Sequence, residues 1–430
     1  MEKDTKDKSL EEVSKKGMEK YQKINTIKDI NSINDIKNTN IKYTKIINNI
    51  NINSKNELYI KKSYKLKNQL FGFENIGNSC YMNSFLQILF HTPHFLDILK
   101  KSSEAITNNL FIDSLIKLSE NHNKIYLLKT IKQLMAEEDE SFGMNVQNDS
   151  QEFGINLINK IISNIKGKIR FSDDYCDDCD KKINIKDNIY KRTKFNEYEN
   201  KYCKNETPLD KMFVFHEILF IMKKDEKDKW FYNNINFNSF LNIDLPFDFK
   251  STKSSYNLTE LLKNYYPKNP NQNSQNDDKG TLEWLKDLIL NFIKRIFKID
   301  DVQNVDIREL FYSNLVTLPN ILIISINRVM HGSSFYNKFF SNRLIFEEKL
   351  DLKDYLENDF MVGDTNYELY GINECYKKIF FSGHYYSYVK INNQWYKFDD
   401  LSVEPVIKPN MDSKYVVGLY YVKKSFINDK

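Results

Sequence analysis

Apolar and polar positions divide the chain into two textures. In the first, Ile24, Ile27, Ile30, Ile33 and Ile36 recur every third residue. An α-helix repeats every 3.6 residues, so such a stripe drifts around the surface and builds no lasting apolar face. The run from Ile24 to Asn56 is almost wholly Ile, Asn, Lys, Asp and Thr. Residues 1–69 therefore read as a low-complexity, disordered extension, with a partner-binding amphipathic segment as the alternative.

From Leu70 the pattern changes. Helical periodicity covers Cys80–Phe90, Asn109–Ser119, Leu127–Met135 and Ser150–Ile165, the last with Phe153, Leu157, Ile158, Ile161 and Ile162 on one face. Strand-like runs follow at Leu318–Val329, Tyr367–Ile372, His384–Ile391, Gln394–Phe398 and Tyr415–Val422. Helices first and strands later predict an α+β fold over residues 70–425. Two insertions interrupt it. Residues 166–215 are charged and loop-like. Residues 264–300 begin as a polar loop and end in an amphipathic helix, Leu282–Ile299, expected to pack on the domain.

Composition narrows the classes. Lys+Arg 63 against Asp+Glu 59 leaves a net charge of +4, without the basic excess of a nucleic-acid binder. No apolar run reaches the 18 or so residues of a membrane helix, and the start, MEKDTKDKSLEEVSKK, has no signal-peptide core. Five cysteines are too few for a disulfide scaffold. The expectation is an intracellular protein of the cytoplasm or nucleus, with no membrane or nucleic-acid partner.

Two residues stand out for chemistry. Cys80 follows a turn-rich run, Gly72 to Ser79, and opens an apolar helix. A thiol at a helix start is favoured as thiolate, and the N–H groups there can hold an oxyanion. A cysteine so placed is also often structural. Among six histidines, His384 opens an aromatic strand, and a turn then leads to a second strand ending in Asp399-Asp400. Such a hairpin can set a carboxylate beside the imidazole, as in a catalytic triad. A surface histidine above a solvated acidic turn fits the same pattern.

Several ordered segments then resemble the ubiquitin-specific proteases. Asn75, Gly77, Asn78, Cys80, Tyr81, Met82, Asn83, Ser84, Leu86 and Gln87 resemble that family's cysteine box. Gln147 to Phe153 resembles its second box, and LPNILIISINRV a strand that normally ends Arg-Phe, here Arg328-Val329. Lys338 to Leu352 and Tyr367 to Tyr370 follow in order. Gly383-His384-Tyr385, Trp395-Tyr396 and Phe398-Asp399-Asp400 resemble the histidine box, and Tyr415 to Lys424 the closing strand. Motifs in the right order are more specific than any one box.

The resemblance implies a papain-like fold with helical thumb, strand-rich palm and β fingers. It implies hydrolysis of the isopeptide or peptide bond after the terminal glycine of ubiquitin, without metal or organic cofactor. Cys80 would be nucleophile, His384 base, Asp399 ahead of Asp400 the orienting acid, and Asn75 an oxyanion donor. Asp149 and Glu152 would bind arginines of ubiquitin's tail, Gln147 is a further substrate-binding candidate, and Tyr385-Tyr386 would line the tail's channel; acids in a first helical turn and, for Tyr386, core packing are the plainer alternatives. Many family members hold a zinc with two Cys-x-x-Cys pairs, one on each finger arm. Here the arms near Phe220–Leu245 and just before Leu318 carry no cysteine. Fingers without zinc are expected; Cys176, Cys179, Cys203 and His216 are the weak alternative set. A protease for another ubiquitin-like modifier and a ubiquitin-binding pseudoenzyme remain open.

Overall fold

The computed structural model describes residues 70–428 with breaks, the longest at 167–193 and 268–308. The 1–69 extension, Cys176, Cys179, Cys203 and the Leu282–Ile299 helix lie outside the described residues.

Helices come first: α1 (Cys80–Phe90), α2 (Phe95–Glu104), α3 (Leu110–Ser119), α4 (Lys124–Met135) and α5 (Ser150–Lys166). All eleven residues of α1 are buried. It lies between α5 and the sheet, which is why its sequence is apolar nearly all round. The α1–α5 contact is tight: a Cβ on Gly154 would sit 2.0 Å from the Phe85 ring. Asn109 is the cap of α3, its Oδ1 accepting from the Phe111 and Ile112 N–H groups.

Next come α6 (Pro208–Phe213), β1 (Phe215–Lys224), β2 (Trp230–Phe240), β3 (Ile243–Pro246), β4 (Ser255–Asn257), α7 (Leu258–Tyr265) and β5 (Glu309–Thr317). The rest is β6 (Ile321–Asn327), β7 (Val329–Met330), β8 (Lys338–Phe339), β9 (Arg343–Ile345), β10 (Lys349–Asp351), β11 (Asn366–Ile379), β12 (Ser382–Ile391), β13 (Gln394–Asp399), β14 (Ser402–Val406), β15 (Asp412–Ser413), β16 (Val416–Lys423) and α8 (Lys424–Asn428). The expected α+β order holds.

Among the described residues, β14-β13-β12-β11-β16-β6-β3 form the palm, with β10 beside β11; β2-β1-β5 form the separate finger sheet. Two arms thus stand where the sequence placed them. In β6, Ile321 and Ile323 face the helices while Leu322 and Ile324 face a second core around α7. A strand covered on both faces reads as an unbroken apolar run, as this one does.

Two expectations need correction. The Leu318–Val329 run is not one strand: β6 covers only Ile321–Asn327, with Arg328 between it and β7, and Leu318-Pro319-Asn320 stays outside, since Pro319 has no N–H to give a ladder. The 166–215 insertion is not all loop. Thr207 and Asp210 form a reciprocal capping box, and Leu209, Met212 and Phe213 bury the face of α6. His216, of the weak ligand set, lies inside β1. Its Nδ1 meets the Tyr198 hydroxyl and, at 3.0 Å, that of Ser239; its Nε2 faces Glu206 at 3.1 Å. Both ring nitrogens therefore have partners in a structural network, and among the described residues no three His, Cys, Asp or Glu side chains group as metal ligands.

Arg328, between β6 and β7, is 1% exposed. Its guanidinium donates to the carbonyls of Val416 at 2.6 Å, Asn342 at 2.7 Å and Ser413 at 3.3 Å. Burial lowers its pKa to about 9.

Candidate active site

The loop before α1 is folded by its own amides. Gly77 (φ 108°) and Asn78 (φ 48°) turn it through left-handed backbone. Asn75 Oδ1 accepts from the Gly77 and Ser79 N–H groups at 3.2 and 3.1 Å. Lys132 donates to the Gly77 carbonyl at 3.2 Å and Lys124 to that of Gly72 at 3.1 Å. Cys80 is the first helical residue, 3% exposed, and Ser79 supplies no side-chain cap to the first-turn N–H groups.

His384 enters from β12. A two-residue turn, Asn392-Asn393, both at positive φ, joins β12 to β13 and fixes their register. Asp399 thereby comes to 2.5 Å from His384 Nε2 through Oδ1. Cys80 is the imidazole's other close ionisable neighbour. The bond to Asp399, then that to Cys80, raises the His384 pKa to about 10. The same bond to His384, with help from Lys397, lowers Asp399 to about 2. A thiol at a helix start, an imidazole and an ionised carboxylate are thus brought to one place, a set of groups suited to thiolate attack and proton return.

Asp400 does something else. Its φ of 48° turns it away from the strand. Its carboxylate accepts from Asn75 Nδ2 at 3.0 Å and Asn83 Nδ2 at 2.7 Å, and its carbonyl from Phe73 N–H at 2.9 Å. The two acids divide the work: Asp399 meets the imidazole, Asp400 the loop before the cysteine.

Gln147 spans the cleft. Its Oε1 accepts from Gly383 N–H at 2.5 Å, its Nε2 donates to the Gly383 carbonyl, and Nε2 lies 3.8 Å from Cys80 Sγ. Asp149 is the residue before α5, its Oδ1 accepting from the Gln151 and Glu152 N–H groups at 2.7 and 3.1 Å. Asp149 and Glu152 are both exposed. Tyr385 and Tyr386 part to opposite faces of β12, as alternation requires. Tyr385 joins the helix-side core, while the Tyr386 hydroxyl donates to Glu374 Oε2 at 2.7 Å. They do not form one wall.

The family model described as ubiquitin carboxyl-terminal hydrolase matches residues 71–421. The chain belongs to the ubiquitin carboxyl-terminal hydrolase family. Over 94 residues it is 42% identical to ubiquitin carboxyl-terminal hydrolase 37 of Mus musculus, covering 20% of this chain and 10% of that protein. The Sus scrofa protein of that name is 37% identical over 95 residues, again 20% and 10%. The chain thus matches about a tenth of the length of these curated relatives. Among solved structures, the yeast SAGA DUB module with a mutant Sgf73 aligns at TM-score 0.57 and 19% identity, over 83% of this chain and 69% of that one. The SAGA Ubp8/Sgf11/Sus1/Sgf73 DUB module bound to ubiquitin aldehyde aligns at 0.57 and 18%, over 87% and 76%. These likenesses show the papain-like α+β fold.

In this family member, sequence reasoning passed over three supports. Asn83 reads from the sequence only as part of a box, yet it is buried and ties Asp400 to the Glu74 carbonyl at 3.2 Å. Lys132 holds the cysteine loop from a helix with no motif. Lys397 contacts Asp399 Oδ2 at 2.7 Å. Only the last had a local signal, its i,i+2 spacing from the acid on one strand face.

Proposed function

We propose that the protein is a thiol-dependent deubiquitinase that cleaves the isopeptide or peptide bond after the terminal glycine of ubiquitin. The observation that carries this is His384, set between Asp399 and Cys80 at the start of α1 in a chain of this family. His384 takes the Cys80 proton, and the thiolate adds to the carbonyl carbon. The first-turn N–H groups of α1 and the Asn75 amide receive the oxyanion, with Asp400 fixing Asn75. The C–N bond breaks as the imidazolium protonates the leaving amine. Water, deprotonated by His384, then hydrolyses the thioester. Asp149 and Glu152, exposed at the start of α5, take arginines of the ubiquitin tail, and buried Tyr385 backs its channel. Ubiquitin is the expected partner, in keeping with the ubiquitin aldehyde bound to one structural relative.

The test is incubation with ubiquitin carrying a carboxy-terminal electrophile. Wild type should form a covalent adduct and Cys80→Ala none, while the variant keeps ubiquitin affinity, because the thiol adds little ground-state binding. An adduct in Cys80→Ala removes the nucleophile. Reaction with another modifier's probe in preference to ubiquitin's moves the substrate class.

A further inference from the structure

We propose that Lys397, seated on Tyr386, is the positioning residue that aims Asp399 at His384. This deepens the triad reading above and rests on it.

The β12–β13 register sets Tyr388 opposite Lys397 and Ser387 opposite Phe398. Side chains alternate, so His384, Tyr386 and Tyr388 of β12 share one face with Lys397 and Asp399 of β13. On that face the Lys397 ammonium lies 4.3 Å from the Tyr386 ring centroid and 2.7 Å from Asp399 Oδ2. A cation against a ring face and a carboxylate together is held in direction as well as attracted. Tyr386 is itself fixed. Its hydroxyl donates to Glu374, which is 5% exposed and also accepts from Ser413.

The carboxylate thus has two fixed partners, one per oxygen: Oδ2 takes Lys397 and Oδ1 takes His384. A carboxylate held at one oxygen loses the rotation about its Cβ–Cγ bond that would swing the other off the imidazole. The ionisable groups around the pair are Cys80 from α1, Glu374 from β11, and Tyr386 and Tyr388 from β12. Lys397 is the ammonium that reaches the acid, and both side chains of that pair are 29% exposed. Solvent screening makes the pair's value directional rather than a large stabilisation.

The readout is the pH profile of Cys80 alkylation by iodoacetamide, which reports the thiolate and needs no ubiquitin. Wild-type hydrolysis of a ubiquitin carboxy-terminal amide, run beside it, tests the functional reading separately. Lys397→Met keeps the stem on Tyr386 and removes the ammonium. It should move the alkylation inflection up by about half a unit or more. Lys397→Arg should restore the wild-type profile. Because Lys397 acts through Asp399, Lys397→Met should add no shift in an Asp399→Ala background. No shift in the single variant, a shift that arginine does not reverse, or an equal shift without Asp399 would overturn the proposal. Lys397→Gln, read in the same way, replaces Lys397→Met should the latter not fold.

Discussion

Replacing Asp399 by Asn tests the electrostatics of the site most sharply. Asn keeps the shape and removes the charge, and neither orientation of its amide fits. One oxygen of Asp399 now faces the ring nitrogen Nε2 and the other the Lys397 ammonium. Both partners donate when the imidazole is charged, so the new NH₂ group must oppose one of them. The acid is also the largest cause of the raised His384 pKa of about 10. An imidazole at that value is charged in about 97% of molecules at pH 8.5; one returned to about 6.5 is charged in about 1%. The leaving amine needs that proton, so the alkaline limb of kcat/KM should move down. With 42% of the His384 side chain exposed, solvent screens part of the effect, and a shift of at least about one unit is expected. The assay is the pH profile for a fluorogenic ubiquitin carboxy-terminal amide. An alkaline limb unmoved within about 0.3 units would refute the reasoning. The stability sign follows the same direction. A raised imidazole pKa favours the fold fully below about 6.5, and that contribution is lost as pH rises through about 10.

Asp400→Ala should lower kcat by about tenfold to several hundredfold, through the loosened Asn75 amide, while leaving the alkaline limb in place; a displaced limb would show Asp400 acting on His384. Gly154→Ala adds about 1 kcal/mol of helix propensity but drives a methyl into the Phe85 ring, an overpacking cost of about 1–3 kcal/mol. A lower melting temperature by circular dichroism is expected, and an unchanged or higher one sinks the steric argument. Protein purified without chelator should hold less than about half an equivalent of zinc, and chelation should leave its melting temperature unchanged. One tightly held equivalent, lost on mutating Cys176, would mean that the finger arms are misassigned.

What the sequence revealed and what it hid follow the range of the interactions. Helix α1 was legible to the residue because its periodicity and preceding turn are local. The His384–Asp399 pairing was legible because a two-residue turn fixes the hairpin register. Helix α6 was masked by surrounding charge, although its Thr-Pro-x-Asp start is a local cap signal. Asp400 could not be told from Asp399 by neighbourhood. Its partners Asn75 and Asn83 lie 325 and 317 positions away, and a single positive φ decides which way it faces. Tyr385 and Tyr386 are neighbours in sequence yet part to opposite faces of β12, an alternation that only the strand makes visible.

The buried Arg328 makes the fold intolerant of being cut short. Carbonyls that accept from it come from residues 342, 413 and 416, on segments far apart in sequence from Arg328 or from one another. The buried cation is satisfied only where these segments meet. A chain ending before Val416 would keep the charge and lose one acceptor, along with the β16 strand that β11 and β6 both pair with. Losing β16 should therefore cost the fold far more than losing the residues after it, because that strand both completes the palm and shelters a buried charge.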